Sequence, residues 1–259
     1  MSGFPARPRL IPFWSLLLLL PLSTQAVAQA PDAGAQARYQ NCLSLANLDP
    51  AQALRVAGAW IKAKGGGPAE HCMAMALVEL KRYPEAATRL DQLGRAPGMG
   101  DLRPTIFDQA GNAWMLAGDA AKAAASFSAA LALSANDADL YADLARAQAM
   151  LKQWSAVESD LNAALSLEPR RPDFLVLRAS ARAAQGKLRD ARDDADAALK
   201  LKPNSPEALV QRGEIARRAG DLANARRDFQ AALKIAGTGE AAAAAREGLA
   251  LTEERGGKP

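Results

Sequence analysis

The sequence predicts an all-α fold, a solenoid of tandem helix-turn-helix units closed by a C-terminal capping helix. Three observations predict it: a period of 34 residues, an apolar content made mostly of Ala and Leu, and Gly or Pro at the breaks of each period. Hydrophobic residues are 49% of the 259, enough to build a core. Only three Tyr, four Trp and six Phe are present, so strong helix formers meet few β-favouring rivals.

The N-terminus is set apart first. Arg7 and Arg9 precede an uncharged run from Leu10 to Leu22, followed by Ala26, Val27 and Ala28. A basic start, a short apolar stretch and a small-residue exit are the marks of a secretory signal. The run is 13 residues long, whereas a spanning helix needs about 20. Residues 1–28 are therefore expected to be a signal peptide cleaved after Ala28, the alternative being an uncleaved anchor. Residues 29–37 follow as a flexible mature N-terminus. The expected location is exported, periplasmic or secreted, with no stable membrane insertion after cleavage.

Cleavage removes two arginines and lowers the formal net charge from +4 to +2 (4 − 2), so no nucleic-acid partner is expected. The charge is uneven. Residues 170–236 carry 15 Lys and Arg against 9 Asp and Glu, while residues 29–169 carry 12 against 15.

Stepping by 34 from Ala130 meets Ala164, Ala198 and Ala232, and the next column holds Leu131, Leu165, Leu199 and Leu233. Earlier in each copy, Gly111, Ala145, Ala179 and Gly213 form a small-residue column, and Phe107, Tyr141, Leu175 and Leu209 a large one. Breaks fall at Gly118, Lys152, Gly186 and Gly220, and stops at Pro169, Pro203 and Gly237. Each unit thus reads as helix A, a tight turn, and helix B. One unit cannot bury its apolar face alone; stacked neighbours can.

The stretch holding Phe107, Gly111, Trp114, Gly118, Ala123, Phe127 and Ala130 resembles the tetratricopeptide-repeat consensus, in a form suited to a bacterial exported protein. The resemblance implies a right-handed α-solenoid with two degenerate repeats over 38–103 and four repeats over 104–137, 138–171, 172–205 and 206–239. A capping helix over 240–255 and a tail over 256–259 complete the chain. The pattern is broken where Arg178 and Arg212 replace a usual Leu and Lys152 a usual Gly, which predicts looser packing there. The join between Leu93 and Pro104 is expected to be a hinge or a widened turn.

Catalysis needs a constellation, and one His, two Cys and no phosphate loop after a strand do not make one. No catalytic, cofactor or metal site is predicted. His71 has no ligand partners at metal-site spacing and reads as an ordinary helix residue. Gly65, Gly66 and Gly67 read as a loop between repeats. Cys42 and Cys72 fall on the A helices of adjacent repeats. In an exported chain they are expected to form a disulfide, the alternative being two buried thiols.

The family geometry implies that A helices line a concave groove. Carried over by position, the groove presents Gln109, Asn112 and Met115, then Asp143, Arg146 and Met150, then Ser180, then Gln211, Glu214, Arg217 and Arg218. Mixed charges, amides and flexible Met suit an extended peptide or a partner helix. The expected function is a non-enzymatic protein-protein interaction scaffold in the bacterial envelope. The alternatives are a polyanion binder using Arg189, Arg192, Arg217, Arg218, Arg226 and Arg227, or an accessory subunit of an envelope enzyme.

Overall fold

The computed structural model describes residues 33–256, and the expected signal peptide lies outside them. Thirteen α helices follow one another, with no strand among the described residues. They form six antiparallel A/B pairs and a final helix. The pairs are α1 (Ala33–Leu48) with α2 (Pro50–Lys62), α3 (Gly66–Glu79) with α4 (Tyr83–Arg95), and α5 (Arg103–Leu116) with α6 (Ala120–Leu131). Then come α7 (Ala138–Met150) with α8 (Trp154–Leu167), α9 (Pro172–Ala184) with α10 (Leu188–Leu201), and α11 (Pro206–Arg218) with α12 (Leu222–Ala236). The last is α13 (Glu240–Gly256). Among the described residues no helix is long and apolar enough to cross a membrane.

Local chemistry sets these boundaries. Asp49, Asp119, Asp137, Ser205 and Asp221 accept bonds from first-turn backbone amides, and Pro opens α2, α9 and α11, where its missing N–H is harmless. The A-to-B turn needs a left-handed residue. Gly118, Gly186 and Gly220 supply it with φ of 77, 78 and 83°, and Lys152 takes the same geometry at 57° despite its Cβ.

Two expectations are corrected. Residues 33–37, expected to be flexible, are already helical in α1. Gly66 and Gly67 are not loop but the first residues of α3. A Cβ on Gly67 would stand 2.3 Å from Met99 Sδ, so the missing side chain leaves room for the Met99 side chain against α3. The join after α4 takes the second of its two expected forms, a widened turn: Met99 is buried in the core, and Arg103 Nε donates to the Gly94 carbonyl at 2.7 Å.

The core is built from Ala columns and inserted rings. A Cβ on Gly111 would stand 2.5 Å from the Phe127 ring, and one on Gly213 would stand 2.8 Å from the Phe229 ring. The missing side chains let helix A close onto helix B around a buried ring. Gly248 meets Phe229 from α13 in the same way, so α13 seals the open end and buries Ala242, Ala245 and Thr252.

Arg178 and Arg212 do not loosen their repeats. Arg178 holds both oxygens of the buried Asp194, through Nε at 2.9 Å and a terminal nitrogen at 2.7 Å, and also reaches Asn162 on the preceding B helix. One period later Arg212 grips Asp228 at 2.7 and 2.8 Å and reaches Asp196 at 2.8 Å. Each arginine thereby ties its own pair to the pair before it.

Candidate functional site: the A-helix groove

Consecutive A helices touch one another (α1 on α3, α5 on α7, α7 on α9, α9 on α11, and α11 on α13), whereas the B helices do not to any comparable extent. Helices that converge line the inside of a curve, so the A helices form the concave face.

At its N-terminal end this face is closed. Cys42 and Cys72 are joined in a disulfide, with Cα atoms 5.9 Å apart, and both are buried among Ala57, Leu43, Trp60 and Met73. Beside them a polar chain crosses three A helices. The Tyr39 hydroxyl donates to His71 Nδ1, and His71 Nε2 donates to Gln109 Oε1 at 2.6 Å. This assigns a neutral imidazole with both nitrogens engaged, and burial holds its pKa below the usual value against the pull of Gln109. His71 is a connector between repeats, and Gln109 is bound inside the wall.

Between α5 and α7 the face opens. Asn112 is exposed and donates to the Asp108 carbonyl at 3.2 Å and to its carboxylate at 3.0 Å. Asp143 is paired with Arg146. Met115 is half-buried and Met150 is 53% exposed. Two neighbours were missed by positional transfer: Leu116, exposed at 59%, and Asp108, half-buried. Burial, and then the charges of Asp143 and Asp137, push the Asp108 carboxyl up to about 6, against the Asn112 amide. Asp143 is raised too, by burial, although Arg146 opposes it.

Further along, the carried-over residues are held by one another. Arg217 donates to both oxygens of Glu214 at 2.7 and 2.8 Å, and Arg218 adds a bond at 2.8 Å. Burial pushes Glu214 up, but these two arginines outweigh it and hold its pKa below the usual range. Ser180 and Gln211 are half-buried beside this cluster. Arg182, Gln185 and Lys187 converge on Glu158, and the Lys187 bond leads in holding it at about 2. The basic C-terminal half is thus partly neutralised from within. Of the six arginines named for polyanion binding, Arg217 and Arg218 are held by Glu214, and Arg192 lies 3.8 Å from Asp196.

Two shallow hollows, of ≈ 340 and ≈ 480 Å³, lie on either side of Glu207 at the N-terminal ends of α9, α11 and α13. Val176 floors one, and Val210, Ala241 and Ala244 floor the other. Asp173 and Glu207, like Val176 and Val210, stand 34 residues apart, a column the sequence displayed and positional transfer passed over.

The family model for the tetratricopeptide repeat matches residues 145–206 and 176–241. Among solved structures the chain is similar to MamA, with 18% identity over 64% of this chain and 95% of that one, at a TM-score of 0.57. It is similar to YrrB, described as a repeat protein with an unusual peptide-binding site, with 18% identity over 73% and 96% and a TM-score of 0.56. It is also similar to TTC0263, a thermophilic repeat protein of Thermus thermophilus, with 18% identity over 71% and 100% and a TM-score of 0.56. At these identities the likeness concerns the fold. No curated protein matches the chain. The repeat model matches within 145–241, and the same A/B unit runs through the other described pairs, so the chain carries tetratricopeptide repeats over 145–241 and their fold through its other described helices.

Proposed function

We propose that the chain is an interaction scaffold of the bacterial envelope, without catalysis of its own, which holds a peptide or helix of another protein on the concave face of α5 and α7. One observation carries this reading. Leu116 and Met150 project from facing A helices at 59% and 53% exposure, next to the polar side chains Asn112, Asp143 and Arg146. A large apolar side chain left in water beside groups that fix orientation is the arrangement of a recognition groove. The peptide-binding site described for the fold relative YrrB supports the same use of the fold. The envelope location is supported by the signal-like N-terminus and by a disulfide, which persists in an oxidising compartment.

The test is site-specific photo-crosslinking in the native host, with the crosslinker at Met150 and, as control, at the exposed Arg226 on α12. The proposal expects a discrete adduct from Met150 and none from Arg226, and N-terminal sequencing of the processed chain starting at Gln29. Adducts from Arg226 alone would rule out the groove, and a retained Met1 would rule out export by cleavage.

A further inference from the structure

The partner's chemistry follows from what the α5–α7 wall lacks. Asp108, Asp137, Asp139 and Asp143 gather where the first turns of α7 face the middle of α5. Arg146 answers Asp143, and Arg171 answers Asp139 at 2.9 Å. Asp108 and Asp137 have no ion pair among the described residues, and the groups nearest Asp108 are other carboxylates and the neutral Asn112. Asp137 is committed to capping α7. Asp108 is therefore the half-buried anion of this wall that a partner can still neutralise.

The same helix faces carry Leu116 and Met150, about two turns further along. From Asp108 to Leu116 is eight residues of helix and from Asp143 to Met150 is seven, which at 1.5 Å per residue is about 10–12 Å. An extended chain covers that distance in about three to four residues at roughly 3.3 Å each. The wall is thus acidic at one end and apolar at the other, at the pitch of a short extended segment.

Resting on the groove reading above, we infer that the occupant of α5–α7 is a segment of another protein with a Lys or Arg set three to four residues from a large apolar side chain, the cation lying against Asp108 and the apolar group on Leu116 and Met150. An acidic segment would add charge to a cluster already in excess, and a purely apolar one would bury Asp108 without a partner. Burial, and after it the charges of Asp143 and Asp137, raise Asp108, in keeping with a half-buried carboxyl that has no cation beside it. A bound cation would favour the ionised carboxylate, so binding should weaken as pH falls through 6. The charged groups facing Asp108 are Asp143, Asp137 and Asp139, with Arg146 and Arg171 behind them.

The experiment selects a displayed library of random twelve-residue peptides on the full chain with its disulfide intact. Synthetic copies of the enriched peptides are then measured by fluorescence anisotropy against Asp108→Asn and against Leu116→Ser combined with Met150→Ser. These residues are at least partly exposed, and unchanged thermal midpoints confirm that each variant folds. The expected peptides pair Lys or Arg with an apolar residue three to four positions away. Asp108→Asn should weaken them about tenfold and remove their pH dependence, and the serine pair should weaken them at least as much. Neutral or acidic peptides lost on the serine pair but indifferent to Asp108→Asn would keep the groove and overturn the cationic partner. Peptides indifferent to both variants, or no enrichment at all, would overturn the groove reading itself.

Discussion

The repeats built on α5–α8 and on α9–α12 share a backbone and differ in what holds it. Where helix A meets its own helix B, the first two place Ala110 and Leu144, both buried, opposite Ser126 and Asp160. The last two place Arg178 and Arg212 opposite the buried Asp194 and Asp228. The slot is geometric: it accepts an Ala or Leu against a polar group satisfied elsewhere, as Ser126 is by Asp91, or an ion pair, provided the pair is complete. The choice redistributes charge. In the second half Arg178, Arg182, Arg212 and Arg217 are held by carboxylates within the fold, while in the first half Asp108 is left without a cation and the A helices keep Leu116 and Met150 in water.

The largest expected effect is in the apolar half. Phe127 is 1% exposed with its ring against Gly111, and Phe127→Ala should cost about 3–5 kcal/mol, read by denaturant unfolding. A comparable loss awaits the staple at the closed end: Cys42→Ser with Cys72→Ser opens a link spanning 30 residues and should lower stability by about 3–4 kcal/mol. A single melting transition unchanged by reduction would contradict it.

The ionic half breaks differently. Asp194→Ala takes the carboxylate from Arg178 and one of two from Arg182, which keeps Glu158, and should cost about 2–3 kcal/mol, below the fully buried figure because the arginines keep some solvent and other partners. Asp194→Leu with Arg178→Leu should recover most of it. If the double variant is no better than the single one, the two halves are not alternative fillings of one slot.

Acidification separates the two ends of the groove. Asp108 has a folded pKa near 6 against 3.8 for the free side chain, so between those values the folded chain holds more protons. Its penalty is present above pH 6 and relieved as pH falls towards 4. His71 has the opposite sign: its pKa is lowered from 6.5, so the unfolded chain protonates first and stability falls as pH drops below 6.5. Asp108→Asn should therefore steepen the loss on acidification and His71→Asn should flatten it, in stability-versus-pH curves. The smallest effect is at the turns: Lys152→Gly, which frees a left-handed residue at φ 57°, should stabilise by about 0.5–1 kcal/mol.

Much of the fold was legible because a repeat shows each structural need several times: Gly111 and Gly213 recur where a ring closes, and Gly118, Gly186 and Gly220 where the chain turns left-handed. Lys152 reads as a departure in sequence, yet its backbone takes the glycine geometry, because the flanking helices fix the turn. The arginine clamps were hidden because a residue-type pattern scores Arg in place of Leu as damage. Only the antiparallel packing of α9 on α10 shows that Asp194, 16 residues on, faces it. The groove was the least legible part. Position along helix A names an outward face but not whether a neighbour already holds the side chain, as His71 holds Gln109 and Glu214 holds Arg217.

The division of labour between the halves is tested most directly by hydrogen–deuterium exchange of the full chain with and without a bound partner peptide. The account predicts new protection confined to α5 and α7 around Asp108, Leu116 and Met150, with α9–α12 unchanged. Protection centred on α9–α11, or on the B helices, would contradict it.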